Sequence, residues 1–168
     1  PLLVSLPPLI KTLEEEAHLT ARLQALRDGG LTRFMVANIG QIKLVDDLGI
    51  EFMASDYQLN LTNDLTASAL SQIGLSRQTI SIEMDHARMQ ELSAIGTIPL
   101  ELVIYGRLPA MNTRCCPMGN IVGARETDQP CTRPCVRRSY ALERDGRRYI
   151  LVGDRFCNVY ILNDRTYS

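Results

Sequence analysis

Tryptophan is absent from this 168-residue chain, and aromatic residues make up only 5% of it. Its core must therefore be aliphatic. Cysteine is missing from the first 114 residues, and all five cysteines fall between Cys115 and Cys157. Histidine occurs only as His18 and His86. His18 sits in the middle of an expected helix and His86 in the first turn of another, so both are poor catalytic candidates. The chain has no Ser–His–Asp spacing, nucleophile elbow, Gly-x-Gly-x-x-Gly, P-loop or His-Glu-x-x-His. A hydrolase reading thus lacks an evident nucleophile. No apolar run is long enough to cross a bilayer. The apolar residues 1–6 are too short for a secretory signal, lack a positive flank and meet Pro7-Pro8 at once. An odd number of cysteines without a signal points to the reducing cytoplasm, where such clusters are more often metal sites than disulfides.

What is present is ordinary for a globular domain: 45% hydrophobic and 22% charged residues. The net charge of −1 predicts no strong attraction of the whole chain to nucleic acid or membrane. The charge is uneven, however. Residues 131–155 carry seven Arg against three acidic side chains, a local excess of four. The plain reading is a solvated Arg-rich hairpin; the sharper one is a surface for an anionic partner such as RNA.

Apolar runs and turn signals alternate along the first 109 residues. Strands are expected over 2–6, 33–38, 50–54, 78–83 and 99–105. Helices are expected between them: one carrying Ile10, Leu13, Ala17, Leu19, Leu23 and Leu26 and ending at Gly29-Gly30, one over 41–48, one carrying Leu65, Ala69 and Ile73, and one capped by Asp85 and carrying Met89, Leu92 and Ile95. This rhythm predicts an α/β fold with parallel strands and crossover helices. The short apolar strands read as buried on both faces. Five such strands suit a small open sheet or half of a TIM-type barrel. A chain that opens with Pro1 inside a strand suggests a piece of a longer protein. Residues 1–109 are thus read as βα repeats, and residues 110–168 as a cysteine-rich segment packed on the same domain. That segment contains a β-hairpin over 140–152, turning at Asp145-Gly146, and one more strand over 158–162.

In parallel α/β folds, ligands bind at the carboxyl ends of strands. Those ends carry Asn38 and Gly40, then Asp56, Asn60 and Asn63, then Glu83, then Tyr105 and Arg107. Asp56 and Glu83 are the candidate acids or bases. Asn38, Asn60, Asn63, Tyr105 and Arg107 are candidate substrate ligands. Each has a structural alternative: loop satisfaction for Asp56 and Asn60, a helix cap for Asn63, and an ion pair with Arg107 for Glu83.

The cysteines are the stronger signal. Cys131 and Cys135 form Cys-x-x-x-Cys, Cys116 precedes Pro117 in a loop containing Gly119 and Gly123, and Cys157 follows the hairpin. Four such thiols could hold zinc or an iron–sulfur cluster. Spacing alone leans slightly to zinc. Cys115, adjacent to Cys116, is expected to be a neighbouring rather than a ligating thiol.

Several of these pieces occur together in one family. Val36-Ala37-Asn38-Ile39-Gly40, Ala54-Ser55-Asp56-Tyr57-Gln58-Leu59-Asn60, Ser81-Ile82-Glu83-Met84, Tyr105-Gly106-Arg107-Leu108-Pro109, Cys116-Pro117-Met118-Gly119, Cys131-x-x-x-Cys135, Asp154-Arg155-Phe156-Cys157 and Ile161-Leu162-Asn163 run in the order found in the collagenase-like peptidase family U32. The chain resembles the carboxyl-terminal half of that family's catalytic domain. Where the family commonly has Gly-x-Cys, this chain has Thr113-Arg114-Cys115-Cys116, which leaves both cysteines as candidates for the first ligand.

The resemblance implies a (β/α) barrel of which this chain supplies about half. It also implies a 4Fe–4S cluster on Cys116, Cys131, Cys135 and Cys157. Members are labelled peptidases, and others take part in oxygen-independent hydroxylation of RNA bases or quinone precursors. An iron–sulfur hydroxylase acting on RNA or a small aromatic substrate is therefore expected. The alternatives are a peptidase and a non-catalytic fragment with structural zinc. A half-barrel should self-associate or pair with its missing half.

Overall fold

A computed structural model describes residues 2–96, 98–123 and 131–167. The chain divides into two compact units, Pro1–Val103 and Ile104–Ser168. Residues 124–130 of the cysteine-rich loop lie outside the described residues.

The first unit is a five-stranded parallel sheet, β1 (Val4–Ser5), β2 (Arg33–Val36), β3 (Phe52–Ser55), β4 (Arg77–Thr79) and β5 (Leu100–Glu101), in the spatial order 1-2-3-4-5. Four helices connect them: α1 (Leu13–Asp28), α2 (Ile39–Asp47), α3 (Asp64–Gln72) and α4 (His86–Ile95). Each begins at a side chain suited to capping. Thr12, Asn38, Asn63 and Asp85 accept the backbone N–H of Glu15, Gln41, Thr66 and Arg88, satisfying donors that a helix leaves open.

Parallel partners share a face of the sheet. Phe34 and Val36 of β2 lie level with Met53 and Ser55 of β3. Phe34, Val36 and Met53 pack with Leu19 and Leu23 of α1, Ile42 and Val45 of α2 and Leu70 of α3. The other face carries Arg33, Met35, Phe52, Ala54, Arg77, Thr79 and Glu101. β2 therefore alternates buried and half-buried residues. β3 has a buried run of Met53, Ala54 and Ser55, and β4 a shorter one of Gln78 and Thr79.

The structure corrects several expectations. The i, i+4 series in α3 faces outward: Leu65 is 77% and Ile73 46% exposed, while Ala67 and Leu70 are buried. The inward stripe is the i, i+3 pair, set by where the sheet lies. Leu13 of α1 is 84% exposed because it stands in the first turn, before the helix reaches the sheet. β2 stops at Val36, because Asn38 is already the cap of α2. β4 ends at Thr79, leaving Glu83 in the following turn. β5 is two residues long, not seven. It pairs with β4 alone, and Leu102, Ile104 and Tyr105 beyond it are exposed.

The second unit is an antiparallel sheet of four strands, β6 (Pro109–Thr113), β7 (Tyr140–Arg144), β8 (Arg147–Gly153) and β9 (Val159–Leu162), in the order 6-9-8-7. β7 and β8 form the expected hairpin, with Asp145 and Gly146 both at positive φ as such a turn requires. β6 begins one residue before the expected break at 109/110. Its Pro109 stands first in an edge strand, the place a sheet tolerates proline. The buried cluster here is small: Cys116, Met118, Leu151 and Val159, with Tyr140 and Ile161 against it.

Candidate functional site

In the first unit the strand ends hold most of the candidates. Both ends of the Asn38 amide are engaged: its Oδ1 accepts from Gln41 N at 3.1 Å and its Nδ2 donates to the Pro8 carbonyl at 3.1 Å. The buried Gln41 adds a second tie, donating from Nε2 to the Pro7 carbonyl at 2.6 Å. Together they clamp the loop after β1 against the start of α2, beside a hollow of about 570 Å³. Asn63 caps α3.

Asn60, Ser81 and Glu83 are brought together. Asn60 has a left-handed backbone at φ 55, uncommon for a residue with a side chain. Its Oδ1 accepts the Ser81 hydroxyl at 2.7 Å, and Ser81 Oγ in turn accepts Glu83 N at 3.3 Å. Ser81 is buried, whereas the Glu83 side chain is exposed.

Asp56 directly follows β3 and accepts Tyr57 N at 2.8 Å. With its amide turned, Gln58 donates to Asp56 Oδ2 at 3.0 Å and accepts the Tyr57 hydroxyl at 3.2 Å. Burial pushes the Asp56 carboxyl above its ordinary value; the Tyr57 N–H opposes this and the charge of Glu101 adds to it. Burial also raises Tyr57. Glu101 holds Arg77 at 2.7 Å, Arg77 lies 5.7 Å from the Phe52 ring, and Arg33 covers that ring at 3.8 Å. Arg77 and Glu101 were not among the sequence candidates. The available signal was one acidic residue between two leucines, Leu100-Glu101-Leu102, within an apolar strand.

Tyr105 and Arg107 belong to the second unit. Tyr105 is 75% exposed, and Arg107 donates from Nη1 to the Asn163 carbonyl at 3.4 Å.

The cysteines occupy loops of this second unit. Cys116 is buried, and Pro117 starts a single π-helical turn, Met118–Val122. Cys116 Sγ accepts Gly119 N at 3.2 Å, and Cys131 Sγ accepts Arg133 N at 3.4 Å. Two glycines make room for this pair. A Cβ on Gly119 would lie 3.2 Å from Cys131 Sγ and 3.6 Å from Cys116 Sγ. One on Gly123 would lie 2.8 Å from the Gly119 carbonyl and 3.1 Å from Cys131 Sγ.

Cys135 follows Arg133, which has a left-handed backbone, and its sulfur stands 4.0 Å from where a Gly153 Cβ would be. Cys157 is itself left-handed at φ 58. The Asp154 carboxylate shapes its turn by accepting Phe156 N and Asn158 N, both at 2.9 Å, and the Asn158 amide at 2.8 Å. Cys115 is exposed, and Asn120 Nδ2 lies 3.3 Å from its sulfur.

Among the described residues, no three His, Cys, Asp or Glu side chains are gathered into one metal-holding group. The donor type fits a sulfur-bound centre, as do the glycine cradle and the two N–H groups directed at sulfur.

No helix of the described residues is long and apolar enough to cross a membrane. Neither a curated protein nor a solved structure matches the chain. The family model described as Peptidase family U32 matches residues 4–166, nearly the whole chain. The chain belongs to that family.

Proposed function

We propose that this U32 chain is part of an iron–sulfur enzyme of the oxygen-independent hydroxylase type, acting on RNA or a small aromatic substrate. Cys116, Cys131, Cys135 and Cys157 would hold a 4Fe–4S cluster. The observation that carries this reading is the Cys116–Cys131 pair, set in a glycine cradle with a backbone N–H on each sulfur. Convergence of Cys135 and Cys157 on that pair is part of the proposal. When bound, such a cluster supplies one-electron chemistry at a potential set partly by hydrogen bonds to its sulfurs.

The chain's own groups take defined parts. The N–H groups of Gly119 and Arg133 donate to the Cys116 and Cys131 sulfurs and would orient them towards a cluster held there. The Asp56 carboxyl, raised by burial, holds a proton more readily than a solvated aspartate and serves as acid or base. Asn60 and Ser81 fix the loop that carries Glu83. Asn38, Asn63, Tyr105 and Arg107 are the remaining proposed substrate contacts. For Asn38 and Asn63 the contact would have to come from backbone groups beside their caps.

The parallel sheet supports a half-barrel. Its order, 1-2-3-4-5, never reverses. Right-handed crossovers wound in one direction place every helix on one face, and the opposite face, with Arg33, Phe52, Arg77 and Glu101, becomes a barrel interior on closure. Both outer strands have only two residues, so pairing with a second copy or a complementary half would extend them. Sedimentation showing only monomer would contradict this.

A peptidase built on Asp56 and Glu83 is the second reading, favoured by the raised Asp56 carboxyl. Proteolysis that persists in Asp56→Ala and Glu83→Ala would rule that site out. For the first reading the test is anaerobic reconstitution followed by visible absorption. Wild type and Cys115→Ser are expected to gain the cluster's absorption and Cys116→Ser to lose it. Gain by Cys116→Ser would contradict the assignment.

A further inference from the structure

The Arg-rich character noted in the sequence is not spread evenly over the second unit. One groove of about 430 Å³ is lined by Arg107, Arg147, Arg148, Arg165 and a single carboxylate, Asp164. Arg147 and Arg148 begin β8, directly after the hairpin turn at Gly146. Arg107 and Arg165 are brought there by backbone pairing between distant segments. Asn163 N donates to the Leu108 carbonyl at 2.9 Å, and Gly106 and Tyr167 exchange two hydrogen bonds of 3.1 and 2.7 Å. The groove therefore joins parts of the chain about sixty residues apart and is a product of the fold.

Its charge is only partly neutralised. Asp164 lies 3.8 Å from Arg147, and Arg107 uses one nitrogen on the Asn163 carbonyl. Neither Arg148 nor Arg165 has an ion pair among the described residues. Four guanidiniums against one carboxylate leave an excess of three positive charges in one open groove. Arginine's planar fork suits phosphate oxygens. Two exposed tyrosines lie two positions along the chain from its arginines, Tyr105 from Arg107 and Tyr167 from Arg165. Tyr105, 75% exposed, precedes the Gly106 bridge, and Tyr167, 44% exposed, is its other half. A positive groove with exposed tyrosines close to its arginines in the chain matches a ligand that carries both phosphates and flat bases.

We infer that Arg107, Arg147, Arg148 and Arg165, flanked by Tyr105 and Tyr167, form a binding groove for a single-stranded nucleic acid. The guanidiniums take the phosphate backbone and the tyrosines take bases. The inference deepens the RNA side of the reading above. Its test reads binding alone, so loss of the groove and loss of the cluster are distinguishable: binding without iron uptake keeps the groove, and iron uptake without binding removes it.

The test is fluorescence anisotropy of the full chain with a labelled oligouridine of about twelve nucleotides, a length within single-strand site sizes, across a salt series. Four phosphate contacts predict a slope of log affinity on log salt of about −3. The double variant Arg148→Gln, Arg165→Gln is expected to flatten that slope by about 1.4. Arg148→Lys with Arg165→Lys should keep the slope, because the charge remains. Tyr105→Ala with Tyr167→Ala should weaken binding by about thirtyfold or more while leaving the slope unchanged.

No binding at low salt would overturn the inference, as would an unchanged slope in the Gln pair. Equal loss in the Lys and Gln pairs would overturn it too, because charge would not then be the cause. Displacement of the oligonucleotide by polyglutamate at equal charge concentration would indicate an acidic peptide instead.

Discussion

Twelve buried side chains, from Leu6 through Phe34 and Val45 to Leu75, form one continuous cluster under the helices of the parallel sheet, and a second cluster adds Leu61, Ala67, Ile80 and Leu92. In the antiparallel unit the buried cluster is Cys116, Met118, Leu151 and Val159. The first unit therefore holds most of the buried apolar side chains among the described residues. The second spans 65 residues (168 − 103), and among its described residues one of the four core members is a thiol. Domains of this size with so little core are commonly held by disulfides or metal. On the proposed reading, the cysteines would hold the second unit together as well as carry its chemistry.

The largest expected effect follows directly. Cys131→Ser should abolish metal retention and unfold the antiparallel sheet, read as loss of its amide protection in hydrogen exchange, because in small metal-bound units binding energy is folding energy. The same substitution at Cys115 should leave both intact. If Cys131→Ser left the sheet protected, the stabilising role of the thiols would fall.

Leu23→Ala should act on the other side of the comparison. Leu23 is 1% exposed, and truncating such a core leucine costs about 2–5 kcal/mol, seen as a lower urea midpoint with unchanged metal content.

Gly123→Ala comes next. Its new Cβ would meet the Gly119 carbonyl and Cys131 Sγ, and overpacking of this kind costs about 1–3 kcal/mol. Metal retention should weaken with it.

Asp56→Asn should have the smallest effect. The native Asp56 carboxyl is raised above its ordinary value, so the folded state binds its proton more tightly than the unfolded chain. Asp56 therefore favours folding most at acid pH, below the unfolded value. That contribution is lost as pH rises through the raised folded value. Asn, which keeps an acceptor for Tyr57 N, should raise neutral-pH stability by less than about 1 kcal/mol given partial solvent screening, read as a slightly higher melting temperature. The gap from wild type should close towards pH 4. An opposite pH trend would mean that Asp56 is held as a carboxylate.

The sequence made some of this legible because the signals were local. Asn63 and Asp85 announced their helices through capping chemistry that acts within three residues. Asp145-Gly146 announced the hairpin through its turn. The parallel pairing of the strands followed from the βα rhythm, while their order did not. What was hidden depends on distant partners. Leu65 and Ile73 have helical spacing, but only the position of the sheet decides that Ala67 and Leu70 face it. β6 was invisible because Pro-Ala-Met-Asn-Thr has little strand character until β9 pairs with it.

At the candidate site, the cysteines were visible from composition. The Gly119 and Gly123 cradle, the Asp154 turn behind Cys157 and the Arg77–Glu101 pair were not, because each needs chain segments folded together.

The central claim is that these thiols hold an iron–sulfur cluster, and elemental analysis of anaerobically prepared protein tests it most directly. The account predicts about four iron atoms and four acid-labile sulfides per chain, with Cys131→Ser losing both. Stoichiometric zinc that iron and sulfide cannot replace would contradict it and leave the cysteines as a structural clasp.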